Sequence, residues 1–320
     1  MVKIDKLDRK IIAELDMNAR IPVSQLAKAV RASREVVNYR LKILTKKQVI
    51  SGSQTFFNPA KLGYTIYRVL IRLDSLDERI VSEFQDYFIR HNSVMWFARL
   101  GGKWDYVVEF FAKNSKEFDN LLNRTVSEFE HYIKLYEVLT VLEIRGYKRK
   151  YISGTKKEDS FIIGGEIENL KLDKVDLGII KQLKSDAQLT NTEIGKKLNL
   201  SRNTVKQRIK KLQDSGIILC YKLFYHPLSL GYQSYKLLML MKNLSPQKEK
   251  DFFDFAQANP NIIFAHKDFG KWNYEFEIEI EDLIKLQKII IELRTRFKDF
   301  IIDYELFPIL HDYKISLFPD

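Results

Sequence analysis

Two stretches of the sequence place cationic and amide side chains at helical spacing on one face. Arginine can form two hydrogen bonds with a guanine, and asparagine or glutamine can do the same with an adenine. Lysines beside such a face neutralise phosphates, which raises affinity without selecting a base sequence. The candidates for contact with double-stranded DNA are Ser33, Arg34, Glu35, Asn38, Tyr39, Lys42 and Lys46, and in the second stretch Ser201, Arg202, Asn203, Lys206, Gln207 and Lys210. An ordinary solvated helix face uses the same residue types, so the surrounding elements must support this interpretation.

The residues before each stretch predict the helices that position it. Apolar residues recur at helical spacing after Asp5, which can cap a first helix, and a second helix is expected from about Val23 to Val30. Ser33 can cap a third helix that ends near Lys47. Three helices with a tight turn describe a helix-turn-helix, and the alternating segments after the third helix predict the strands of a wing. Inward-facing residues are expected to be Val37, Leu41 and Leu44, and in the second stretch Val205, Ile209 and Leu212.

Arg40 and Arg208 lie nearer the inward edge of the third helices. Two roles fit that position. Each arginine can hold its helix to the neighbouring helices, or it can reach a phosphate.

The sequence contains an internal repeat, in which one unit occurs twice. KIDKLDRKII at Lys3 recurs as KLDKVDLGII at Lys171, 168 positions later, and the same offset relates Gly102-Lys103-Trp104 to Gly270-Lys271-Trp272. The register holds without insertion or deletion to the end of the sequence. We therefore expect duplication and fusion of a complete unit.

The second part of each unit predicts the element order strand, helix, strand, strand, helix, strand. In the first unit the strands are expected near 67–73, 95–100, 106–111 and 135–144, with helices near 80–88 and 118–129. This βαββαβ order implies a ferredoxin-like layer with helices on one face. The other face needs cover, which we expect from another copy through Tyr67, Trp96, Phe110 and Tyr136.

These observations predict an α+β chain with five segments. They are a winged helix-turn-helix domain at 1–60, a ferredoxin-like domain at 61–152, a partly flexible linker at 153–170, a second winged helix-turn-helix at 171–228 and a second ferredoxin-like domain at 229–320. Within the linker, Phe161-Ile162-Ile163 can dock on a neighbouring element.

Bulk composition narrows the function. Lys and Arg number 53 against 42 Asp and Glu, a formal charge of +11, which favours nucleic acid as partner over an anionic membrane surface. With Cys220 as the one cysteine, the chain cannot form an intrachain disulfide, and this fits a cytoplasmic location. The sequence shows no signal peptide, no membrane-length apolar run, no metal-ligand spacing and no phosphate loop or nucleophile elbow. We expect no cofactor, no metal, no membrane association and no enzymatic activity.

The order and spacing of these motifs resemble the Lrp/AsnC family of transcription regulators. The resemblance rests on Leu7-Asp8-Arg9-Lys10-Ile11-Ile12, Leu26-Ala27, Ser33…Arg40…Leu44, Asn58-Pro59…Leu62-Gly63 and Gly102-Lys103-Trp104-Asp105-Tyr106. It covers nearly the whole chain, twice. It implies a sequence-specific DNA-binding regulator of the cytoplasm, modulated by a small effector such as an amino acid, that pairs its back domains and assembles into homo-oligomers. In this chain the two back domains would pair as a pseudo-dimer.

The same resemblance implies an effector site at the G-x-x-D turn, with Gly102 and Asp105 in the first unit and Gly270 and Asn273 in the second. A glycine turn admits a carboxylate to backbone N–H groups, and an aspartate can accept an ammonium. The alternative is that glycine only forms the turn and aspartate only caps it. Asn273 departs from the pattern because asparagine carries no charge.

Two other functions remain open from sequence. Siroheme decarboxylases resemble this family in fold and would use histidine, of which His266, beside the Gly270 turn, is the one expected near the pocket. An architectural DNA-binding protein without an effector would bind almost independently of sequence.

Overall fold

A computed structural model describes residues 2–74, 77–154, 159–242 and 244–319. The first helix-turn-helix consists of α1 (Lys6–Leu15), α2 (Val23–Val30) and α3 (Arg34–Lys46), followed by β1 (Ile50–Phe57). Asp5 and Asp8 form a reciprocal capping box at the start of α1, and the Ser33 hydroxyl accepts a hydrogen bond from the Val36 N–H at the start of α3. The expected caps are therefore present. We call α1–α3 with β1 head one.

The remaining elements follow the predicted order. The first back domain contains β2 (Thr65–Leu73), α4 (Glu78–Arg90), β3 (Val94–Leu100), β4 (Tyr106–Ala112), α5 (Ser115–Glu128) and β5 (Ile133–Tyr147). A connecting part holds α6 (Lys150–Ser153) and β6 (Ser160–Gly164). Head two consists of α7 (Lys174–Ser185), α8 (Asn191–Leu198), α9 (Arg202–Asp214) and β7 (Ile218–Tyr225). The second back domain contains β8 (Gln233–Met241), α10 (Pro246–Ala258), β9 (Ile262–Phe269), β10 (Tyr274–Ile280), α11 (Leu283–Arg296) and β11 (Ile301–Ile315).

The two back domains form one closed barrel. Within each domain the strands pair in ferredoxin-like order, β5-β2-β4-β3 and β11-β8-β10-β9. The sheets then join at both edges, because β3 pairs with β11 and β5 pairs with β9. Eight strands of the described chain therefore close on themselves, so that every strand of the ring has two neighbours.

Strand alternation decides which side chains enter the barrel. On β2, Tyr67 faces the helices and stacks on Phe118 of α5 at 4.2 Å between ring centroids, whereas Arg68 and Leu70 are fully buried on the inner side. Phe110 also lies in the cluster beneath α4 and α5, and Tyr136 is 41% exposed. Of the four aromatic residues expected to cover the free face, only Trp96 packs inside the barrel. The expectation for the other three was wrong because the alternation places them one residue out of phase with the interior.

The strands after the two third helices complete each other. β1 and β7 pair antiparallel, with Thr55 opposite Tyr221, so each head borrows its partner strand from the other copy. We call this pair the wing ribbon. The chain is thus an internal pseudo-dimer that is joined both at the wing ribbon and through the barrel.

The connecting segment contributes a strand to the fold. β6 pairs with the outer part of β5, and Phe161 and Ile163 are buried. Phe161 meets Phe56 of the wing ribbon edge-on at 5.1 Å between ring centroids. A Cβ atom at Gly146 of β5 would lie 2.2 Å from the Phe161 ring, so glycine is required there for β6 to dock. Among the described residues, no helix is long and apolar enough to cross a membrane.

Candidate nucleic-acid interface and interior chamber

The third helices α3 and α9 pack inward through the expected apolar face. Val37 and Leu44 are buried in α3, Leu41 is half-buried, and Val205, Ile209 and Leu212 are buried in α9. Opposite this face, the candidate side chains for DNA contact are all exposed: Arg34, Glu35, Asn38, Tyr39, Lys42, Lys46, Arg202, Asn203, Lys206, Gln207 and Lys210. Ser33 and Ser201 cap the two helices through their hydroxyls. The structure therefore presents two exposed faces that can donate hydrogen bonds to a groove.

The exposed faces differ at corresponding positions. Glu35 in head one corresponds to Asn203 in head two. A hydrogen bond from its own backbone N–H, together with the Ser33 hydroxyl, lowers the pKa of Glu35, so its carboxylate is charged at neutral pH. A carboxylate can accept a hydrogen bond from a cytosine amino group but repels phosphates, whereas an asparagine suits adenine.

Arg40 and Arg208 tie the third helices to the first helices. The Arg40 Nη1 atom lies 2.6 Å from Asp5 Oδ2 and 3.3 Å from Asp8 Oδ1. In head two, the Arg208 Nη1 atom lies 2.5 Å from Asp173 Oδ2 and 3.1 Å from Asp176 Oδ1. The structure thus favours the first of the two roles considered for these arginines.

The glycine turns stabilise strand ends at the rim of the barrel. Asp105 accepts a hydrogen bond from the Leu73 N–H at 2.8 Å, and Asn273 exchanges two bonds of 2.8 Å with the backbone of Met241. At Gly270, where φ is +152°, a Cβ atom would lie 2.5 Å from the Leu139 side chain. Asp105 and Asn273 therefore each form hydrogen bonds with the last residue of a neighbouring strand, β2 and β8 respectively.

The end of the barrel that faces the wing ribbon contains a buried ionic network centred on Arg68. Its guanidinium donates to Glu109 at 2.6 Å, to Glu275 at 2.6 Å and to Asp268 at 3.1 Å. Lys236 bonds Glu275 and lies 3.0 Å from Glu277. The four carboxylates exceed the two cations, which is costly in a fully buried site.

Protons offset part of this imbalance. Burial raises the pKa of Asp268 to about 7 and that of Glu277 to about 7, against the attraction of Arg68 and Lys236 respectively. Burial, followed by the charge of Arg68, lowers the pKa of His266 well below its usual value, so the ring is neutral. Arg68 Nη2 lies 2.7 Å from His266 Nδ1. Since arginine only donates, Nδ1 accepts and the ring proton lies on Nε2.

A chamber of about 160 Å³ lies between this network and the wing ribbon. Its wall includes Phe56 and Phe224 from the wing ribbon and Trp96 and Phe264 from the barrel. Ionisable groups in the wall are Glu109, Arg149, Lys222, His266, Glu277, Glu279 and Asp312. The chamber thus combines an aromatic surface with a row of charged groups.

One side of the chamber is joined to head one by a second ionic network. Arg149 bonds Glu279 of β10 at 2.9 Å and Asp16, the residue that ends α1, at 3.1 Å. Tyr225 of the wing ribbon donates to Glu279 at 2.9 Å, and Lys222 lies 3.4 Å from Asp16. These contacts connect the chamber wall to the end of α1 in head one.

Sequence reasoning missed both networks. A signal was present: the segment YEFEIEI of β10 alternates Glu275, Glu277 and Glu279 with apolar residues. Such alternation is also typical of a strand with one face in solvent, whereas closure of the barrel buries the polar face of this strand. His266 was expected near a pocket, and it lines the chamber.

Comparisons with known proteins found sequence families that match the two heads and a solved structure that matches the whole fold. The AsnC-type helix-turn-helix domain family matches residues 4–45, and the winged helix-turn-helix DNA-binding family matches residues 172–218. The HTH-type transcriptional regulator LrpC of Bacillus subtilis (strain 168) is 34% identical over 122 residues, which are 38% of this chain and 83% of that protein. The regulator Ptr1 of Methanocaldococcus jannaschii is 27% identical over 121 residues, 38% of this chain and 80% of the relative.

Among solved structures, the siroheme decarboxylase NirDL aligns over 98% of this chain and 94% of its own, with a TM-score of 0.63 and 11% identity. At that identity the likeness concerns the fold alone, which extends over nearly the whole of both chains.

Proposed function

Because the chain belongs to the Lrp/AsnC family of regulators, we propose that it is a transcription regulator that binds double-stranded DNA through both heads. The observation that supports this proposal most directly is the exposure of the two third helices. Their polar sides face solvent in a chain that carries a formal charge of +11. The candidate side chains from Ser33 to Lys46 and from Ser201 to Lys210 are proposed to contact the DNA.

The proposed operator is asymmetric. The wing ribbon joins the heads as a pseudo-dimer, so both engage one duplex, and the linkage raises the local concentration of the second head once the first is bound. Glu35, Asn38 and Tyr39 correspond to Asn203, Lys206 and Gln207. Unequal faces select unequal half-sites.

We further propose a small effector, such as an amino acid, at the turn of the first unit. Asp105 accepts the Leu73 N–H through Oδ2, so Oδ1 can receive an ammonium, while Gly102, where φ is +100°, leaves its backbone open to a carboxylate. In the second unit Gly270 lies against Val138 and Leu139, and Asn273 uses its amide on Met241. The effector proposal therefore concerns the first unit more than the second. We also propose, as an extension of the internal pseudo-dimer, assembly into homo-oligomers.

The test is selection of bound duplexes from a random pool, followed by affinity measurements over a salt series. We expect enrichment of a site with two dissimilar halves, bound by several kcal/mol more tightly than random DNA. Replacing Arg202 by Ala should cost about 1–3 kcal/mol and relax the preference at one base pair. Replacing Lys42 by Ala should weaken all sequences alike and reduce the salt slope by about one. Lys288→Ala, which changes an exposed lysine of α11, is the matched control. Symmetric half-sites would contradict the asymmetric operator.

An architectural role predicts a different outcome of the same experiment. The pool would yield no preferred site, and affinity would fall steeply with salt for every duplex. That result would contradict the regulator proposal while leaving DNA binding intact.

The enzymatic alternative rests on the shared fold with NirDL and on the ionisable groups of the chamber. The chamber volume of about 160 Å³ is below the range of about 300–1,000 Å³ that drug-sized ligands need, and a tetrapyrrole is larger than most such ligands. For the chamber itself this favours the regulator, whereas a second cleft of about 430 Å³, beside Tyr64, Glu143 and Lys267, lies within that range. A tightly bound chromophore with a shifted absorbance after incubation with siroheme would support the enzyme instead.

A further inference from the structure

The two back domains differ most in the part of the barrel that faces the chamber. His266, Asp268 and Glu275 in the second domain correspond to Ala98, Leu100 and Val107 in the first. All six positions lie on the strands that form the barrel ring, and the three polar residues are at most 3% exposed. A buried ionisable group costs several kcal/mol relative to an apolar one unless it is fully compensated. This one-sided arrangement therefore indicates a role other than packing.

The charges around the chamber do not balance. Among the described residues, the chamber wall and the groups bonded to it contain four cations: Arg68, Arg149, Lys222 and Lys236. Against them stand seven carboxylates: Asp16, Glu109, Asp268, Glu275, Glu277, Glu279 and Asp312. Protons on Asp268 and Glu277 offset part of this imbalance, and a ligand relieves the rest only if it carries positive charge.

Two carboxylates of the wall, Glu277 and Asp312, contribute to this excess of negative charge. Glu277 shares Lys236 with Glu275, and Asp312 is bonded only to the neutral Trp96 indole N–H, at 2.8 Å, among the described contacts. Burial raises the pKa of each of these two carboxyls. The Glu277 side chain is nevertheless 13% exposed, and Asp312 counts among the exposed residues, so both can be reached from solvent.

The wall also contains His266 and two aromatic rings. His266 is 97% buried and neutral, and its Nε2–H lies 3.4 Å from Glu275 Oε1, so this ring neither binds nor repels an ammonium. Lys236 already lies 4.7 Å from the ring centroid of Trp96 and Lys222 lies 5.8 Å from that of Phe264, so these rings offer apolar contact area to a ligand. The volume is close to that of a cavity that admits benzene.

We propose that the chamber is a binding site for a small organic ammonium compound with an apolar body about the size of a benzene ring. Glu277 and Asp312 receive the ammonium, and Trp96 and Phe264 contact the apolar part. The site is separate from the effector turn at Gly102 and Asp105.

A metal ion is the competing cation. His266, Glu275 and Glu277 bring one ligand atom each within 4.8 Å of one another. However, the Lys236 ammonium already bonds both carboxylates, and Arg68 fixes the ring proton on His266 Nε2, which removes the lone pair that a metal needs. The chemistry of this group therefore favours an ammonium in the open chamber over a metal in the network.

Occupancy would be transmitted to head one. The wing ribbon forms one wall of the chamber, and Arg149 in the wall bonds Asp16 at the end of α1. A ligand that favours one position of this wall would change the placement of head one. Only this consequence for DNA depends on the proposed function, since binding itself is measured on the free protein.

The test is calorimetric titration of the full chain at pH 7.5 with three isosteric probes: benzylamine, benzyl alcohol and benzoate. We expect benzylamine to bind at least about tenfold more tightly than either other probe, a difference of ~1.4 kcal/mol. Asp312→Asn keeps the acceptor for Trp96 and Glu277→Gln keeps a partner for Lys236, and each should reduce the benzylamine affinity about tenfold. Asp303→Asn, which removes an exposed carboxylate on the same strand, should leave it unchanged.

Four results would overturn the proposal: no preference for the amine, preference for benzoate, no binding of any probe, or Mn²⁺ binding that displaces benzylamine. If benzylamine binds and its affinity depends on Asp312 and Glu277, the site stands even when the chain ignores DNA. In that case only the regulatory consequence fails.

Discussion

The two heads attach to the barrel through junctions of opposite chemistry. Head one is held by Asp16, Arg149, Glu279 and Tyr225, which form a buried ionic network. The corresponding positions at the junction of head two are Lys184, Leu317, Phe111 and Phe57. There Phe57 meets Phe318 edge-on at 5.1 Å, and Phe57, Phe111 and Leu317 share one apolar cluster.

This contrast shows where the duplicated units have been free to diverge. Side-chain caps on the first and third helices and the Arg40 and Arg208 ion pairs recur in both heads, because each head must hold its own three helices together. The two junctions can differ because each joins a different head to the barrel and occurs once in the chain. A buried ion pair is weak evidence for stability, so the ionic junction suits movement or signalling better than it suits strength.

The largest expected effect concerns Arg149. Arg149→Leu places at position 149 the residue found at 317, and it should lower the free energy of unfolding by about 3–5 kcal/mol because Glu279 is left buried without its cation. Adding Glu279→Leu should recover part of this loss. Urea unfolding measures both, with Leu317→Met at the apolar junction as a control that should cost under about 1.5 kcal/mol. If the loss in the double variant equalled the sum of the losses in the two single variants, Arg149 and Glu279 would not be energetically coupled.

A smaller effect is expected from pH. The folded-state pKa values of Asp268 and Glu277, about 7, lie above the values of about 4 expected in the unfolded chain. The folded state therefore holds extra protons between these values, and the stability they contribute is present at low pH and is lost as pH rises through 7. Between pH 5 and 8 the parent chain should lose on the order of 2 kcal/mol relative to Glu277→Gln. If the free energy of unfolding changed with pH in the same way for both proteins, the raised pKa of Glu277 would be contradicted.

The smallest effect is expected where the heads agree. Arg40→Gln and Arg208→Gln each remove the exposed ion pairs between a third helix and a first helix, and each should lower the melting temperature only slightly, less at high salt. Thermal unfolding at two ionic strengths measures the losses. Unequal losses would show that the junctions alter the heads themselves.

Much of the fold could be predicted because it depends on local patterns. The offset of 168 residues, the caps Asp5 and Ser33, and the alternation in β2 predicted the duplicated heads and the βαββαβ order. The outward faces of α3 and α9 followed from the same spacing. Local patterns could not predict that β3 pairs with β11 and β5 with β9, because these pairings join residues far apart in sequence.

The polar interior was missed for the same reason. Arg68 and Glu277 each stand in an alternating strand, and alternation alone predicts that such residues face solvent. Their burial depends on barrel closure by the other copy. Tyr67 and Phe110 show the converse error, since large aromatic residues were assigned to the wrong face of correctly predicted strands.

Closure of the barrel also sets the order in which the chain can mature on the ribosome. The strand that completes the ring, β11, ends at Ile315, and its partner β3 is made more than 200 residues earlier. Until β11 emerges, the nascent chain exposes the edge of β3, which is a template for pairing with other chains. Products that stop before β11 should therefore be prone to aggregation.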